Sequence, residues 1–239
     1  MKSGAGSPIC SAIQRQRNNG ESLRGLLEPS LPTRVSKQLL PIRGQAAQLW
    51  LLPLQGAAWQ VLSAQEILWG QALAPLGSQR YWHSRAAMRE VLAEALGCDP
   101  AAVPLHCPPG QPPQLEGGWV SLSHSRDGVL LGYAPVPIGV DLERFDRPLD
   151  GRALAERFFP PEEVDQLHQM PGDRLRLAVL TSWVAKEAAI KWRQRTLAAE
   201  LSCWRFDHGD GRLHHQRESL ELTPQVGQSG GWLWAAVLG

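Results

Sequence analysis

The sequence has few cysteines, no long apolar run and almost no net charge. Its 239 residues include 24 Lys and Arg against 23 Asp and Glu, a formal charge of +1 at pH 7. This balance excludes a chain-wide field of the kind that nucleic acid or anionic lipid binds, so any site for a polyanion must be local. No segment approaches the roughly 18 consecutive apolar residues of a membrane-spanning helix.

The four cysteines are widely spaced, at Cys10, Cys98, Cys107 and Cys203. They form no CxxC pair and no Cys-His spacing, which excludes the usual zinc sites and a disulfide framework. Reduced cysteines are the default in the cytoplasm, so we expect a cytoplasmic protein.

Residues 1–45 differ in composition from the rest of the chain. They are rich in Ser, Gly, Pro, Arg and Gln, and they lack both a sustained apolar period and the apolar segment of a secretory signal. An organelle transit peptide is one interpretation, but a disordered tail or an over-extended start fits the composition better. We therefore predict a disordered extension over 1–45.

The remaining chain alternates strand and helix patterns, which predicts an α+β fold. Ser63 and Glu66 have the spacing of a capping box, and Gly97 is placed to end a helix. The first predicted elements are a strand at 48–54, a helix that starts at the capping box Ser63–Glu66, and a helix at 78–96. They are followed by strands at 129–134 and 139–143, a helix over 150–167 broken at Pro160-Pro161, a long helix at 174–192, and strands at 202–206 and 231–238.

Two acidic side chains lie on the strand predicted at 139–143. Side chains alternate along a strand, so Asp141 and Glu143 point to the same face. Two neighbouring carboxylates repel unless one is protonated or a cation lies between them. An exposed Asp-x-Glu on an edge strand is the alternative interpretation.

The long helix carries a further acid among large apolar groups. At about 100° per residue, Trp183, Glu187, Ile190 and Lys191 lie along one stripe. A charge that faces a core needs a partner, and for Glu187 a metal ion is one candidate. The alternative is a Glu187–Lys191 ion pair on a solvated face. Together with Asp141 and Glu143, Glu187 would form an oxygen-only site suited to Mg²⁺.

A Ser-rich segment before these motifs, residues 120–126, contains His124. Alone, this histidine is typical of a hydrogen-bonding turn residue. Taken in order, however, Ser-x-Ser-His-Ser at 121–125, Gly-x-Asp-x-Glu at 139–143 and Trp-x-x-Lys-Glu-Ala-x-x-Lys at 183–191 resemble the motifs of the 4′-phosphopantetheinyl transferases of the surfactin-synthetase type. Residues 158–163 also resemble that family's Phe-Phe-x-x-x-Glu.

The resemblance covers about residues 46–239. It implies two similar α+β halves related by a pseudo-twofold, 46–135 and 136–239, with the active site in the cleft between them. It also implies transfer of the phosphopantetheine arm of coenzyme A to a serine of an apo carrier protein, release of adenosine 3′,5′-bisphosphate, and use of Mg²⁺. The expected protein is a monomer that binds neither nucleic acid nor membrane.

The resemblance implies a role for each candidate residue. Metal ligands would be Asp141, Glu143 and Glu187. Coenzyme A would be bound by Arg80, Ser123, His124, Lys186 and Lys191. The base would be Glu187, directly or through a water, although a metal-bound water could share this role. For Lys186 an outward, solvated position is the alternative, and for Arg89, on the helix with Arg80 and Arg85, solvation and pairing with Glu90 and Glu94 are expected.

Three positions depart from the family pattern. Gln111 stands where relatives carry a lysine near the adenine, and Ser121 stands where many have asparagine. Arg193-Gln194-Arg195-Thr196 replaces a glycine-rich link.

Two other functions would use part of the same residue set. A Mg²⁺-dependent phosphodiesterase acting on nucleic acid also uses acidic clusters, but it would be expected to carry a basic aromatic groove that this sequence does not show. A non-catalytic module that binds carrier proteins or coenzyme A would not need all three carboxylates.

Overall fold

A computed structural model describes residues 38–40, 42, 47–54, 56, 59–126 and 128–239. The extension predicted over 1–45 therefore lies largely outside the described residues, although Gln38–Leu40 within it form a strand. None of the helices described is both long and apolar enough to cross a membrane.

Helices and strands are both abundant, which confirms the predicted α+β class. The strands are β1 Gln38–Leu40, β2 Gln48–Pro53, β3 Leu105–His106, β4 Gln114–Leu115, β5 Trp119–Ser125, β6 Gly128–Ala134, β7 Ile138–Arg144, β8 Trp204–Phe206, β9 Leu213–His215, β10 Glu221–Leu222, β11 Gln225–Ser229 and β12 Trp232–Leu238. The helices are α1 Ala64–Gln71, α2 Pro75–Leu96, α3 Gly151–Phe158, α4 Pro161–His168, α5 Gly172–Trp192 and α6 Leu197–Glu200.

The described strands pair in antiparallel sheets. Their orders are β1-β2-β6-β5, β11-β12-β7, β10-β9-β8 and β3-β4. One apolar core contains buried residues of α2, β2 and β6, including Met88 and Leu131. A second contains buried residues of α5 and β12, including Val184 and Leu233.

The capping box predicted at the start of α1 and the glycine predicted at the end of α2 are both confirmed. Ser63 caps α1: its Oγ accepts a hydrogen bond from the Glu66 N–H, and Glu66 Oε2 accepts one of 2.8 Å from the Ser63 N–H. Gly97 ends α2 in the left-handed region, at φ 67°. The start of α2 lies three residues before the predicted Ser78, because Pro75 occupies the first turn, where its missing N–H costs nothing.

The solvated role predicted for Arg89 is wrong. The side chain is buried, and its Nε lies 2.9 Å from Glu66 Oε2. Its Nη1 donates to backbone carbonyls of the segment that follows α2, including that of Val103 at 3.0 Å. Arg89 therefore ties α1 and that segment to α2, because a buried guanidinium requires this full set of acceptors.

Gly139 allows α5 to lie directly against β7. A Cβ at this position would come within 2.0 Å of the Ala188 carbonyl oxygen and 2.3 Å of the Trp192 nitrogen. The close contact brings the last turn of α5 beside the acidic strand. Upstream, the break predicted at Pro160-Pro161 is confirmed, since α3 ends at Phe158 and α4 begins at Pro161.

Candidate active site

Serines at alternate positions of β5 face β7. The Ser121 Oγ accepts a hydrogen bond of 3.0 Å from the Val140 N–H, and Ser123 Oγ donates one of 2.7 Å to Asp141 Oδ1. Further along, Ser125 Oγ donates to Glu143 Oε2 at 2.9 Å. The strand period of two thus places both carboxylates on one face, as predicted, and the serines orient them.

Lys191, on the last turn of α5, joins this acidic face. Its Nζ lies 2.6 Å from Asp141 Oδ1 and 3.6 Å from Glu187 Oε2. Burial alone would lower the pKa of Lys191, but the two carboxylates more than offset this and raise it. Burial, together with the nearby charges of Asp141 and Glu143, raises the pKa of Glu187 to about 7. The pairing of Glu187 with Lys191 is therefore part of a larger cluster that also contains Asp141.

Glu143 turns partly away from this cluster. It forms an ion pair with Arg147, and burial raises the pKa of its carboxyl. The donor atoms of the three predicted metal ligands, Asp141, Glu143 and Glu187, therefore do not all lie within 4.8 Å of one another. In the part of the chain that the structure describes, only Asp207, Asp210 and His214 have donor atoms that all lie within 4.8 Å of one another.

The buried acid nevertheless suits a divalent cation. Asp141 is 3% exposed, and its Oδ2 has no hydrogen-bond partner among the described residues. Such an oxygen is costly to bury unless a cation or a donor satisfies it. Because Asp141, Glu143 and Glu187 offer only carboxylate oxygens, the residues fit a hard ion such as Mg²⁺.

Two cavities with basic walls share Arg85 and His124, and one of them reaches Lys191 of the acidic cluster. One, of about 410 Å³, is lined by Arg80, Arg85, His124 and Arg126 among other residues. The second, of about 380 Å³, shares Arg85 and His124 and adds Lys191 and Arg195. None of the described residues that line either cavity is acidic. The pair of cavities therefore concentrates positive charge locally in a chain of nearly zero net charge, which suits a polyanion.

His124 is accessible from both cavities. The residue is exposed to solvent within the cleft, and partial desolvation of its ring, together with the charges of Arg85, Lys191 and Arg80, lowers its pKa to about 4. The imidazole is therefore neutral at pH 7 and can donate one hydrogen bond to an anion.

The structure brings most of the predicted site residues together. One side of the site contains the acids Asp141, Glu143 and Glu187 with Lys191 paired to them. The other side is basic and is lined by Arg80 and His124. Ser123, predicted to contact coenzyme A, is buried and donates its hydroxyl to Asp141 instead.

Lys186 is not brought to the cleft. Its side chain is fully buried, with Nζ 2.6 Å from Glu163 Oε2 and 3.4 Å from the centre of the Phe159 ring. Burial lowers the pKa of Lys186 to about 8 although Glu163 opposes this shift. Glu163 also accepts a hydrogen bond of 3.0 Å from the Phe206 N–H. Lys186 therefore joins α5 to α4 inside the core.

Three basic residues of the cleft were not predicted from the sequence. Arg85, which shares α2 with Arg80, lines both cavities while its Nε donates to the Cys107 carbonyl at 3.1 Å. Arg126 and Arg195 lie in turns, where no periodic pattern shows which way a side chain faces.

The sequence is similar to those of known proteins. Residues 137–235 match the family model of the 4′-phosphopantetheinyl transferase superfamily. The chain is 32% identical over 166 residues to slr0495 of Synechocystis sp., a provisionally named 4′-phosphopantetheinyl transferase. The matched region covers 65% of this chain and 68% of the relative. It is 29% identical over 167 residues to the 4′-phosphopantetheinyl transferase HetI of Nostoc sp., covering 64% and 70%. With the 4′-phosphopantetheinyl transferase psf-1 of Bacillus pumilus it shares 37% identity over 89 residues, which are 37% of each chain.

An acidic cluster beside a basic cleft is typical of proteins that bind a phosphorylated ligand together with a divalent cation. The chain belongs to the 4′-phosphopantetheinyl transferase superfamily.

Proposed function

We propose that this protein transfers the 4′-phosphopantetheine arm of coenzyme A to a serine of an apo carrier protein and releases adenosine 3′,5′-bisphosphate. The observation that carries the proposal is the arrangement of Asp141, Glu187 and Lys191 beside two cavities whose charged walls are entirely basic. A phosphodiesterase or a non-catalytic binding module would use fewer of these features, and family membership favours the transferase.

The basic walls would bind the phosphates of coenzyme A. Arg80 is exposed in the first cavity, and with the neutral His124 it would hold the 3′-phosphate. Lys191 faces the second cavity from the acidic cluster, so its ammonium can reach the pyrophosphate as a point charge.

Asp141, Glu143 and Glu187 would hold Mg²⁺. When bound there, the ion supplies neutralisation of the negative charge on the pyrophosphate. Serine hydroxyls on β5 keep two of these carboxylates in place: Ser123 donates to Asp141, and Ser125 donates to Glu143. These hydrogen bonds from the serines fix the orientation of the two carboxylates that would bind the metal.

Transfer requires a base for the carrier serine. Its Oγ attacks the phosphorus that bears the pantetheine arm, an O–P bond forms, and the bond from that phosphorus to the bridging oxygen breaks. The hydroxyl proton needs an acceptor, and the electron pair of the broken bond leaves with adenosine 3′,5′-bisphosphate. Glu187, directly or through a water, would accept that proton, and a metal-bound water could share this role.

The proposal also includes the division of the chain into two similar halves. The residue ranges 46–135 and 136–239 would be two similar halves of a monomer of the surfactin-synthetase type, with the cleft between them. In support, each range contains one long helix, α2 of 22 residues and α5 of 21 residues, beside antiparallel strands. The carrier could belong to fatty-acid, polyketide or nonribosomal-peptide synthesis.

Intact-mass spectrometry of apo carrier proteins tests the function directly. The full chain is incubated with coenzyme A, Mg²⁺ and one apo carrier of each class, with EDTA in a parallel sample. We expect one carrier to gain roughly 340 Da, the mass of the arm, as a covalent modification. EDTA should prevent the gain. No gain with any class would leave a carrier-binding relative without transferase activity.

A further inference from the structure

The turn after α5 contains a backbone conformation that its residue does not favour. Gln194 has φ 54°, in the left-handed region. Its N–H donates to the Lys191 carbonyl at 3.0 Å, and the Arg195 N–H donates to the Ile190 carbonyl at 3.0 Å. This is the hydrogen-bond pattern that usually ends a helix at glycine. Glutamine rarely adopts this conformation, so the residues around Gln194 must hold its backbone there. Unfavourable backbone conformations of this kind are often found at functional sites.

The turn carries Arg195 into the wall of the second cavity. Lys191, His124 and Arg85 line the same cavity, and Gln111 lies in the wall without a charge. The three cationic side chains among them, Lys191, Arg85 and Arg195, repel one another around a space of about 380 Å³ unless an anion lies between them. Arg195 therefore increases the positive charge of a space that is already basic.

Arg195 has no ion pair within 4.0 Å among the described residues. The nearby Glu218 is occupied by Arg193, whose Nη2 lies 2.8 Å from Glu218 Oε1 and whose Nη1 lies 3.6 Å from Glu200 Oε2. The two arginines of this turn therefore differ. Arg193 forms ion pairs with acids outside the cavity, whereas Arg195 is exposed at the cavity and acts on Glu218 only through its charge, without an ion pair within 4.0 Å among the described residues.

We propose that Arg195 is a further binding residue for a phosphate group of coenzyme A. The inference rests on the proposed function, since it takes coenzyme A as the occupant of the cleft. A guanidinium can bind two phosphate oxygens at once, which gives both charge and orientation. The phosphate is either part of the pyrophosphate, close to Lys191, or the 3′-phosphate, close to His124.

Calorimetric titration with coenzyme A and with 3′-dephospho-coenzyme A tests the proposal. The full chain with Mg²⁺ is compared with Arg195→Gln and with the matched control Arg193→Gln, and near-UV circular dichroism confirms that each variant is folded. We expect Arg195→Gln to weaken binding of coenzyme A about tenfold, the usual scale for one charge-assisted contact. Arg193→Gln should change the dissociation constant by less than about twofold.

The second ligand identifies the phosphate. If Arg195→Gln weakens coenzyme A alone, Arg195 binds the 3′-phosphate. Equal weakening of both ligands assigns it to the pyrophosphate. Unchanged dissociation constants for both ligands, with a wild-type protein that binds them, would overturn the proposal and leave the transferase function standing. A wild-type protein that binds neither ligand would overturn the proposed function and this inference together.

Discussion

Lys191 donates a 2.6 Å hydrogen bond from Nζ to Oδ1 of Asp141, which joins the last turn of α5 to the middle of β7. Asp141 also accepts from Ser123, so one carboxylate oxygen has two donors while Oδ2 has no described partner. The same carboxylate thus positions a phosphate-binding lysine and offers a free oxygen for a metal ligand.

Removing either central carboxylate should abolish transfer without unfolding the protein. Asp141→Ala removes the oxygen available to Mg²⁺, and Glu187→Ala removes both a ligand and the candidate base. We expect Mg²⁺-dependent transfer to a carrier to fall by a factor of about 100 or more, the scale for loss of a group that acts in the transition state. Initial rates by carrier mass shift and near-UV circular dichroism provide the measurement.

The exposed Asp146 supplies the control for these variants. It lies just beyond β7, and among the described residues it forms ion pairs with Arg144 and, at 3.5 Å, with Arg126 at the rim of the first cavity. Asp146→Asn should therefore retain the wild-type rate within about twofold. Substantial remaining activity in a folded Asp141→Ala or Glu187→Ala protein would remove that residue from the site.

The close approach of α5 and β7 predicts a strong effect at Gly139. In Gly139→Ala the added Cβ would clash with backbone atoms of α5. Because these atoms belong to the helix backbone, the clash can be relieved only if α5 moves away from β7. We expect the free energy of unfolding to fall by about 2–3 kcal/mol, as for an overpacked core, and transfer to fall with it. Urea denaturation and initial rates measure the two effects.

Gly172→Ala is the matched control for this substitution. Gly172 begins α5, and a Cβ there would have nothing within 4 Å. It should leave the protein as stable as the wild type or slightly more stable. Equal stability of Gly139→Ala and Gly172→Ala would show that α5 does not press on β7 at this point.

Elements with local chemistry were predictable from the sequence. The capping box at Ser63 and the terminal glycine Gly97 act within one turn of the chain, and the structure confirms both. The ion pair between Arg89 and Glu66 was not predictable, because it joins side chains 23 residues apart whose neighbourhood only the packing of α1 on α2 creates. Local pattern therefore predicts where a helix ends better than which partner a charged residue finds.

The same distinction explains the candidate site. A period of two suffices to put Asp141 and Glu143 on one face of β7. On α5, Lys186 and Lys191 are separated by roughly 140° around the helix axis, so they cannot both face one cleft closely. The sequence does not show which of the two lysines faces the core, since Glu163, the partner of Lys186, lies on another helix.

Lys186 should be important for stability. In Lys186→Met, Glu163 loses its cation in a fully buried position, and we expect the free energy of unfolding to fall by about 3 kcal/mol. The double variant Lys186→Met/Glu163→Gln should recover most of this loss, because the glutamine keeps an acceptor for the Phe206 N–H without a charge. Urea denaturation of both proteins measures the difference.

The kinetics of the double variant then separate structure from binding. Lys186 lies outside the cleft, so the KM for coenzyme A should stay within about twofold of the wild-type value. Glu162→Gln, at the exposed residue next to Glu163, controls for the loss of a carboxylate on α4. A large increase of KM in the folded double variant, absent from Glu162→Gln, would restore Lys186 as a phosphate-binding residue.

The unfavourable backbone at Gln194 predicts a stabilising substitution. Glycine adopts φ near 54° without the contact between Cβ and the carbonyl that disfavours other residues there. We expect Gln194→Gly to raise the free energy of unfolding by about 1 kcal/mol, as measured by urea denaturation. Gln111→Gly serves as the comparison, since Gln111 lines the same cavity without a left-handed φ, and it should not be stabilised. A Gln194→Gly protein no more stable than the wild type would show that the turn carries no strain, and the conformation of Gln194 would then cease to support a special role for Arg195.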